Sequence, residues 1–113
     1  MKRNVCDFFE AIEDFKVTQN VYSFVGSVQI GLRPSRAGDS VYILKIRSND
    51  RGKGFASETL RIVCSFADDH KLDIFLEIEA SDGMTERELM DWYWRFGFRG
   101  STTEMIRHYS PDD

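Results

Sequence analysis

The sequence predicts a single α+β domain with a mixed sheet, and three observations support this fold class. Two β-type runs, 21–32 and 41–46, are separated by a short loop, which indicates antiparallel neighbours. A strand, a helix and a second strand follow one another over 41–80, and such a crossover makes its two strands parallel. The length of 113 residues suits one domain, 1–113, which buries about two-thirds of its unfolded surface.

The first part of the chain is predicted to form a helix, a strand and a loop. Apolar residues recur at helical spacing near its start and acidic residues occupy the other side, so an amphipathic helix should pack across the sheet. The apolar side consists of Val5, Phe8, Phe9, Ile12 and Phe15. The run 21–32 alternates apolar and polar residues, which predicts a strand that is bulged or broken at Gly26. Pro34 and Gly38 mark the loop 33–40.

The middle of the chain is predicted to form the helix and second strand of the crossover. Apolar residues keep helical spacing from Gly54 to a C-terminal end near His70 and Lys71, whose cations suit the negative end of the helix dipole. The run 72–80 returns to strand alternation. Its apolar residues, expected to face one way, are Leu72, Ile74, Leu76 and Ile78.

The last part is predicted to form one more helix and a closing hairpin. Thr85 and Glu88 fit a capping box at the start of the helix. Gly97 fits a left-handed cap at its end. The segments 98–99 and 105–109 then pair as a short hairpin, which completes the sheet.

Composition and charge argue against several classes of protein. A net charge of −4 does not suit a protein built to bind nucleic acid. No apolar run approaches the roughly 20 residues that span a bilayer, and no secretion signal is visible, so a cytoplasmic location is expected. Cys6 and Cys64 are too few for a disulfide scaffold, and Cys64 is predicted to lie in the core. Without a histidine cluster or a Cys-x-x-Cys pair, no metal site is expected.

The turn between the strand 41–46 and the helix that follows it is the strongest candidate for a binding site. It contains Arg51, Gly52, Lys53 and Gly54. The first backbone N–H groups of a helix are unpaired and glycine lets a ligand approach them, so this turn suits a phosphate or pyrophosphate. An ordinary surface turn with two solvated cations fits the same residues. The P-loop and the dinucleotide-binding motif do not fit the spacing.

Two motifs resemble those of the GNAT superfamily of acetyl-CoA-dependent N-acetyltransferases. Arg51-x-x-Gly54-x-Ala56 resembles the family's Arg/Gln-x-x-Gly-x-Gly/Ala turn, and 92–98, with Tyr93, resembles its aromatic-Tyr-x-x-x-Gly-Phe signature. The resemblance covers roughly 41–109 and implies a three-layer, mostly antiparallel sheet with a central parallel pair flanked by helices.

The resemblance also implies how acetyl-CoA is bound as cosubstrate. Its pantetheine arm would lie between the two splayed parallel strands and bond to the backbone of Leu44 and Ile46. The pyrophosphate would be held by Arg51, Gly52, Lys53, Gly54 and Ala56. The acceptor would be an amine, on a small molecule or on a protein, and a homodimer is one way to complete the acceptor site.

The implied reaction is direct attack of the amine on the thioester, with three side chains as candidates for proton transfer. Glu77 and Glu79 are candidate bases, although a solvated sheet face explains them as well. Tyr93 is the candidate donor to the departing thiolate, or else a buried aromatic residue. Trp92 is interpreted as packing.

Two departures from the family pattern keep other functions open. The family often has Asn and a small residue where this chain has Glu86 and Leu89. The alternative is therefore a catalytically degenerate GNAT-fold module that binds CoA or another protein. An unrelated α/β phosphate-binding protein is a third hypothesis.

Overall fold

The computed structural model describes residues 2–48, 54–79, 84–101 and 103–109. Within these ranges the chain forms three α-helices and seven strands of one sheet. The helices are α1 (Arg3–Ala11), α2 (Phe55–Asp69) and α3 (Glu86–Trp94), and a 3₁₀ turn covers Glu13–Phe15. The strands are β1 (Lys16–Thr18), β2 (Val21–Tyr22), β3 (Gln29–Pro34), β4 (Val41–Arg47), β5 (Ile74–Leu76), β6 (Arg99–Gly100) and β7 (Met105–Arg107).

The sheet is mixed, with the strand order β1-β2-β3-β4-β5-β7-β6. β4 and β5 are parallel, and each of the other neighbouring pairs is antiparallel. The crossover through α2 explains the parallel pair, because the helix carries the chain back to the end of the sheet where β4 began. The predicted α+β class, with a mixed sheet and a central parallel pair, is therefore confirmed.

A single hydrophobic core lies on one face of the sheet. The buried residues on the central strands are Ile30, Leu32, Val41, Ile43, Ile74 and Leu76. Each helix adds side chains to this same core: Val5 and Phe8 from α1, Leu60 and Val63 from α2, and Tyr93 from α3.

The described residues do not show the third layer of the expected three-layer fold, since all three helices contribute to one core. The other face of the sheet bears half-buried residues, including Arg33, Tyr42, Phe75 and Ile106. A helix packs on a continuous aliphatic face, and this mixed row does not offer one.

The N-terminal prediction is right for a helix but misses a strand. α1 ends at Ala11, and Phe15 lies in the 3₁₀ turn instead of on the helix. β1 follows and pairs with β2 across a tight turn in which Asn20 has a φ of 64°. All three residues of β1 are exposed, so no alternation of buried and exposed positions marks it in the sequence. Pairing with β2, a tertiary contact, makes this segment extended.

The predicted strand 21–32 is two antiparallel strands, β2 and β3. The predicted break at Gly26 is confirmed, with a φ of 53° in the connection between them. A Cβ atom there would lie 3.0 Å from the ring of Phe55, so both the positive φ and the close packing favour glycine. The loop after β3 is also confirmed, although Arg33 and Pro34 belong to the strand.

The predicted strand 72–80 is shorter than expected but faces the predicted way. β5 covers Ile74–Leu76. Leu72, Ile74, Leu76 and Ile78 are all buried. Glu77 and Glu79 are exposed. The alternation of apolar and polar residues therefore predicts correctly which side chains are buried, even for residues that lie outside the hydrogen-bonded strand.

The helix ends behave as the sequence predicts. The Glu88 N–H donates to the Thr85 hydroxyl over 3.1 Å, and the Thr85 N–H donates to the Glu88 carboxylate over 2.9 Å, which confirms the capping box. Gly97 has a φ of 98° beyond the end of α3. Lys71 has a φ of 57° after α2, and the Leu72 N–H reaches the Ala67 carbonyl over 2.8 Å. This is a Schellman-type end with lysine where glycine is usual.

Two composition-based expectations can be compared with the described residues. Cys64 is buried in the core and neither cysteine is in a disulfide. Among the described helices, none combines the length and the apolar character needed to cross a bilayer.

Candidate functional site

The candidate site is a cleft where the two parallel strands separate. β4 pairs with β5 from Val41 to Ile43, but β4 continues to Arg47 while β5 ends at Leu76. A cavity of about 420 Å³ opens between the continuing segments. Its walls include Ile43, Leu44, Lys45, Ile46, Gly54, Phe55, Ala56, Ser57, Leu76, Glu77, Ile78, Glu79, Met84, Leu89, Trp92 and Tyr93. A volume of this size is in the range of small-molecule and cofactor sites.

A bulge in β4 shapes one wall of this cleft. The register with β3 passes from Leu32 opposite Ile43 to Gly31 opposite Lys45, so Leu44 is an extra residue in β4. A bulge of this kind takes one peptide out of the regular ladder and redirects it. The Leu44 side chain is 44% exposed and lines the cavity. The predicted site residues Leu44 and Ile46 therefore both lie at the cleft.

The N-terminus of α2 forms the second wall. Gly54 is the N-cap residue, with a φ of 75°, and it has no side chain with which to cap the helix. The first N–H groups of a helix lack intrahelical acceptors, and the helix dipole makes this end positive. An added Cβ at Gly54 would meet no atom within 4 Å, so open space adjoins this end. Gly54 and Ala56 line the cavity. Arg51, Gly52 and Lys53 lie outside the described residues.

Tyr93 on α3 forms part of the third wall and is 8% exposed. Its ring packs edge-on against Trp92, at 4.9 Å between centroids, and against Phe98, at 5.4 Å. Burial raises the pKa of the Tyr93 phenol far above its ordinary value. The hydroxyl therefore stays protonated at neutral pH, at the edge of a cavity that it lines.

The two candidate bases occupy different positions at the cleft. Glu77 and Glu79 both line the cavity and both are exposed. Tyr42 lies on the opposite face of the sheet from the core, and its pKa is raised first by burial and then by the charge of the nearby Glu77 carboxylate. Glu77 is therefore close to the helix-free face as well as to the cleft.

Sequence reasoning missed part of the wall that α3 contributes. The Trp92 indole N–H donates to the Ser57 hydroxyl over 3.0 Å, which ties α3 to the first turn of α2. The interpretation of Trp92 as packing was incomplete, since Trp92 also lines the cavity with Leu89. The spacing of Leu89, Trp92 and Tyr93 on one helix face is the signal from which this wall was predictable.

Within the described part of the chain, no three His, Cys, Asp or Glu residues form a group that could hold a metal ion.

A scan of known protein families found no family model that matches this chain, and a search of curated proteins found no match either.

Proposed function

We propose that this chain is an N-acetyltransferase of the GNAT type, which transfers an acetyl group from acetyl-CoA to an amine. The observation that supports it most is the cleft between diverging parallel strands, which opens onto the N-terminus of α2, where the N-cap residue is Gly54. The pantetheine arm of acetyl-CoA needs a narrow cleft with exposed strand edges, to which its amides can hydrogen-bond. The diphosphate at the far end of this arm needs N–H donors. The cavity of about 420 Å³ offers both kinds of wall.

The walls of the cleft suit the separate parts of acetyl-CoA. The backbone of Leu44 and Ile46 would bond to the pantetheine amides, because β4 has lost its neighbour on that side. Gly54 and Ala56, with Arg51, Gly52 and Lys53 of the preceding turn, would hold the pyrophosphate. A Leu44 N–H redirected by the bulge would donate to the thioester oxygen as negative charge develops there.

Two proton transfers that involve side chains would accompany the reaction, and the chain has a candidate group for each. Glu77 or Glu79 would accept a proton from the substrate ammonium, directly or through water. The neutral amine then forms a C–N bond as the C–S bond breaks. Tyr93 would hydrogen-bond to the departing thiolate and supply its proton. A phenol with a raised pKa is a weak acid, so positioning of the amine would contribute more than proton donation.

A second candidate function is a GNAT-fold module that binds CoA or another protein without catalysis. The burial of Tyr93 between two aromatic rings favours it, because packing alone explains that residue. Glu86 and Leu89, where the family often has Asn and a small residue, also favour it.

Calorimetric titration with acetyl-CoA, CoA and ATP tests the binding half of the proposal. We expect acetyl-CoA and CoA to bind and ATP to bind at least about tenfold more weakly. Gly54→Glu should abolish CoA binding, because its side chain enters the open space at the helix end and its charge repels a diphosphate. Gly54→Ala is the matched control, with the same backbone strain and no charge. Equal loss in both variants would contradict the proposed pyrophosphate site.

Release of free CoA thiol in the presence of a panel of amines tests the catalytic half. Amine-dependent release would support the enzyme. Tight CoA binding without release for any amine would favour the module instead.

A further inference from the structure

A second cavity, of about 480 Å³, lies on the face of the sheet opposite the core. It is lined by Arg33, Ser35, Arg36, Ala37, Asp39, Tyr42, Phe75, Glu77 and Glu104. None of these residues belongs to a described helix. Among the described residues that line the two cavities, Glu77 is common to both.

The floor of this second cavity is an aromatic row set by the strand registers. Arg33 pairs with Tyr42, Tyr42 with Phe75, and Phe75 with Ile106 across four adjacent strands. Partners in a register point to the same face of a sheet, so these side chains form one continuous row. The Arg33 guanidinium already lies 5.0 Å from the centre of the Tyr42 ring, which shows that this aromatic surface accepts a cation.

Carboxylates lie at the end of the row that adjoins the cleft. Glu77 follows Leu76 and Glu104 precedes Met105, the register partner of Leu76, and both carboxylates line the second cavity. Burial raises the pKa of Tyr42 most, and the charges of Glu77 and Glu104 raise it further, while Arg33 lowers it. Both carboxylates therefore act on the same spot. An ammonium group there would have two anionic partners and an aromatic neighbour.

We propose that the second cavity binds the acceptor substrate, a small primary amine with an apolar stem. The stem lies on Tyr42 and Phe75, and the ammonium group lies between Glu77 and Glu104. The inference rests on the proposed acetyltransferase function, and it assigns that function's acceptor to the helix-free face. A cavity of about 480 Å³ fits a small molecule better than a folded protein surface.

Because Glu77 borders both cavities, the amine and the thioester of acetyl-CoA would react beside it. Glu77 takes one proton from the ammonium group, and the nitrogen lone pair attacks the thioester carbon held in the cleft. The C–N bond forms, the C–S bond breaks with its electron pair on sulfur, and the thiolate takes a proton from Tyr93. Once bonded to the acetyl carbon, the nitrogen loses its second proton, which replaces the one given up by Tyr93, and Glu77 releases the first proton to water. The net products are the acetamide, CoA and one proton.

Two-dimensional ¹H–¹⁵N NMR titration of the CoA-saturated protein with phenethylamine tests the acceptor site. We expect shifts at the amides of Tyr42, Phe75 and Glu104, and none with phenethyl alcohol, which lacks the charge. Glu104→Gln should weaken amine binding at least tenfold and leave CoA binding unchanged. Glu10→Gln, the same change on the exposed side of α1, is the control.

Four results would overturn the acceptor site: unchanged amine binding in Glu104→Gln, equal weakening in Glu10→Gln, shifts confined to the first cleft, or faster acetylation of a lysine peptide than of every small amine. The proposed function fails differently. If calorimetry shows no acetyl-CoA binding while phenethylamine shifts the same three amides, the amine site stands and the acetyltransferase does not. If acetyl-CoA binds and phenethylamine causes no shift, the acceptor site alone is wrong.

Discussion

Tyr93 combines a packing role and a chemical role in one side chain. Its ring is fixed between Trp92 and Phe98, so the direction of the phenol is set by packing. Removal from water keeps the hydroxyl neutral, as the raised pKa indicates. A neutral phenol at the cavity edge donates a hydrogen bond without carrying a charge into an apolar cleft.

Replacement of Tyr93 by phenylalanine separates these two roles. Tyr93→Phe keeps the ring contacts and removes the donor, so we expect turnover to fall by about tenfold to hundredfold. The affinity for acetyl-CoA, measured by calorimetry, should stay within about twofold. Tyr109→Phe removes a hydroxyl from a residue that is 38% exposed and does not line the cavity, and it should change neither quantity. Wild-type turnover in Tyr93→Phe would show that the residue only packs.

At the scale of elements, α2 is held at both ends. Its first turn is tied to α3 by the hydrogen bond between Ser57 and Trp92. Its last turn is tied to β7, because Arg107 bonds to both oxygens of Asp68, at 2.8 and 2.9 Å. The Arg107 Nε–H also donates to the Phe96 carbonyl over 2.8 Å. One guanidinium therefore joins α2, β7 and the segment after α3.

Removal of this guanidinium should be costly. We expect Arg107→Ala to lower the free energy of unfolding by about 2 to 4 kcal/mol, because it removes both hydrogen bonds to Asp68 and the one to the Phe96 carbonyl. Arg87→Ala, which breaks an exposed ion pair with Asp91 at 3.9 Å, should cost less than about 0.5 kcal/mol. Urea denaturation of both variants measures the difference. Similar losses in the two would mean that the Arg107 network adds nothing beyond a surface pair.

For the whole molecule, the arrangement of layers places two unlike cavities around one residue. The helices cover one face of the sheet and enclose the first cavity with α2 and α3. The second cavity lies on the uncovered face, where aromatic and charged residues alternate. Glu77 follows directly after the end of β5 and borders both cavities.

Alkaline pH should destabilise the whole fold through Cys64. Burial raises the pKa of its thiol from 9.0 to about 11. Above pH 9 the unfolded thiol loses its proton while the folded one keeps it, so the unfolded state gains stability as pH rises towards about 11. We expect a loss of about 2 to 3 kcal/mol over this interval, at about 1.4 kcal/mol for each pH unit.

Urea unfolding at several pH values measures this loss. Cys64→Ala should be less stable at every pH because of the cavity it leaves, but its stability should fall less steeply between pH 9 and about 11. Cys6→Ala, the matched control at a half-buried position, should keep the wild-type slope. An unchanged slope in Cys64→Ala would exclude the thiol as the titrating group.

The sequence by itself determined the class of fold, the parallel pair, the capping box and the facing of the residues around β5. These depend on local spacing and on side chains that interact within a few residues, which a sequence displays directly. It also named seven residues, among them Leu44, Gly54 and Tyr93, that line one cavity. Their catalytic and binding roles stay predictions.

Only the tertiary structure decided which face of the sheet the helices cover, where β1 pairs, and where β4 and β5 part. Each of these depends on contacts between residues far apart in the chain, so no local pattern encodes them. The bulge at Leu44 and the placement of Tyr42 and Glu77 in one cavity lining are of the same kind. From the sequence alone, Glu77 is an exposed glutamate in an alternating strand and is expected to be solvated. Only the tertiary structure shows that it borders two cavities.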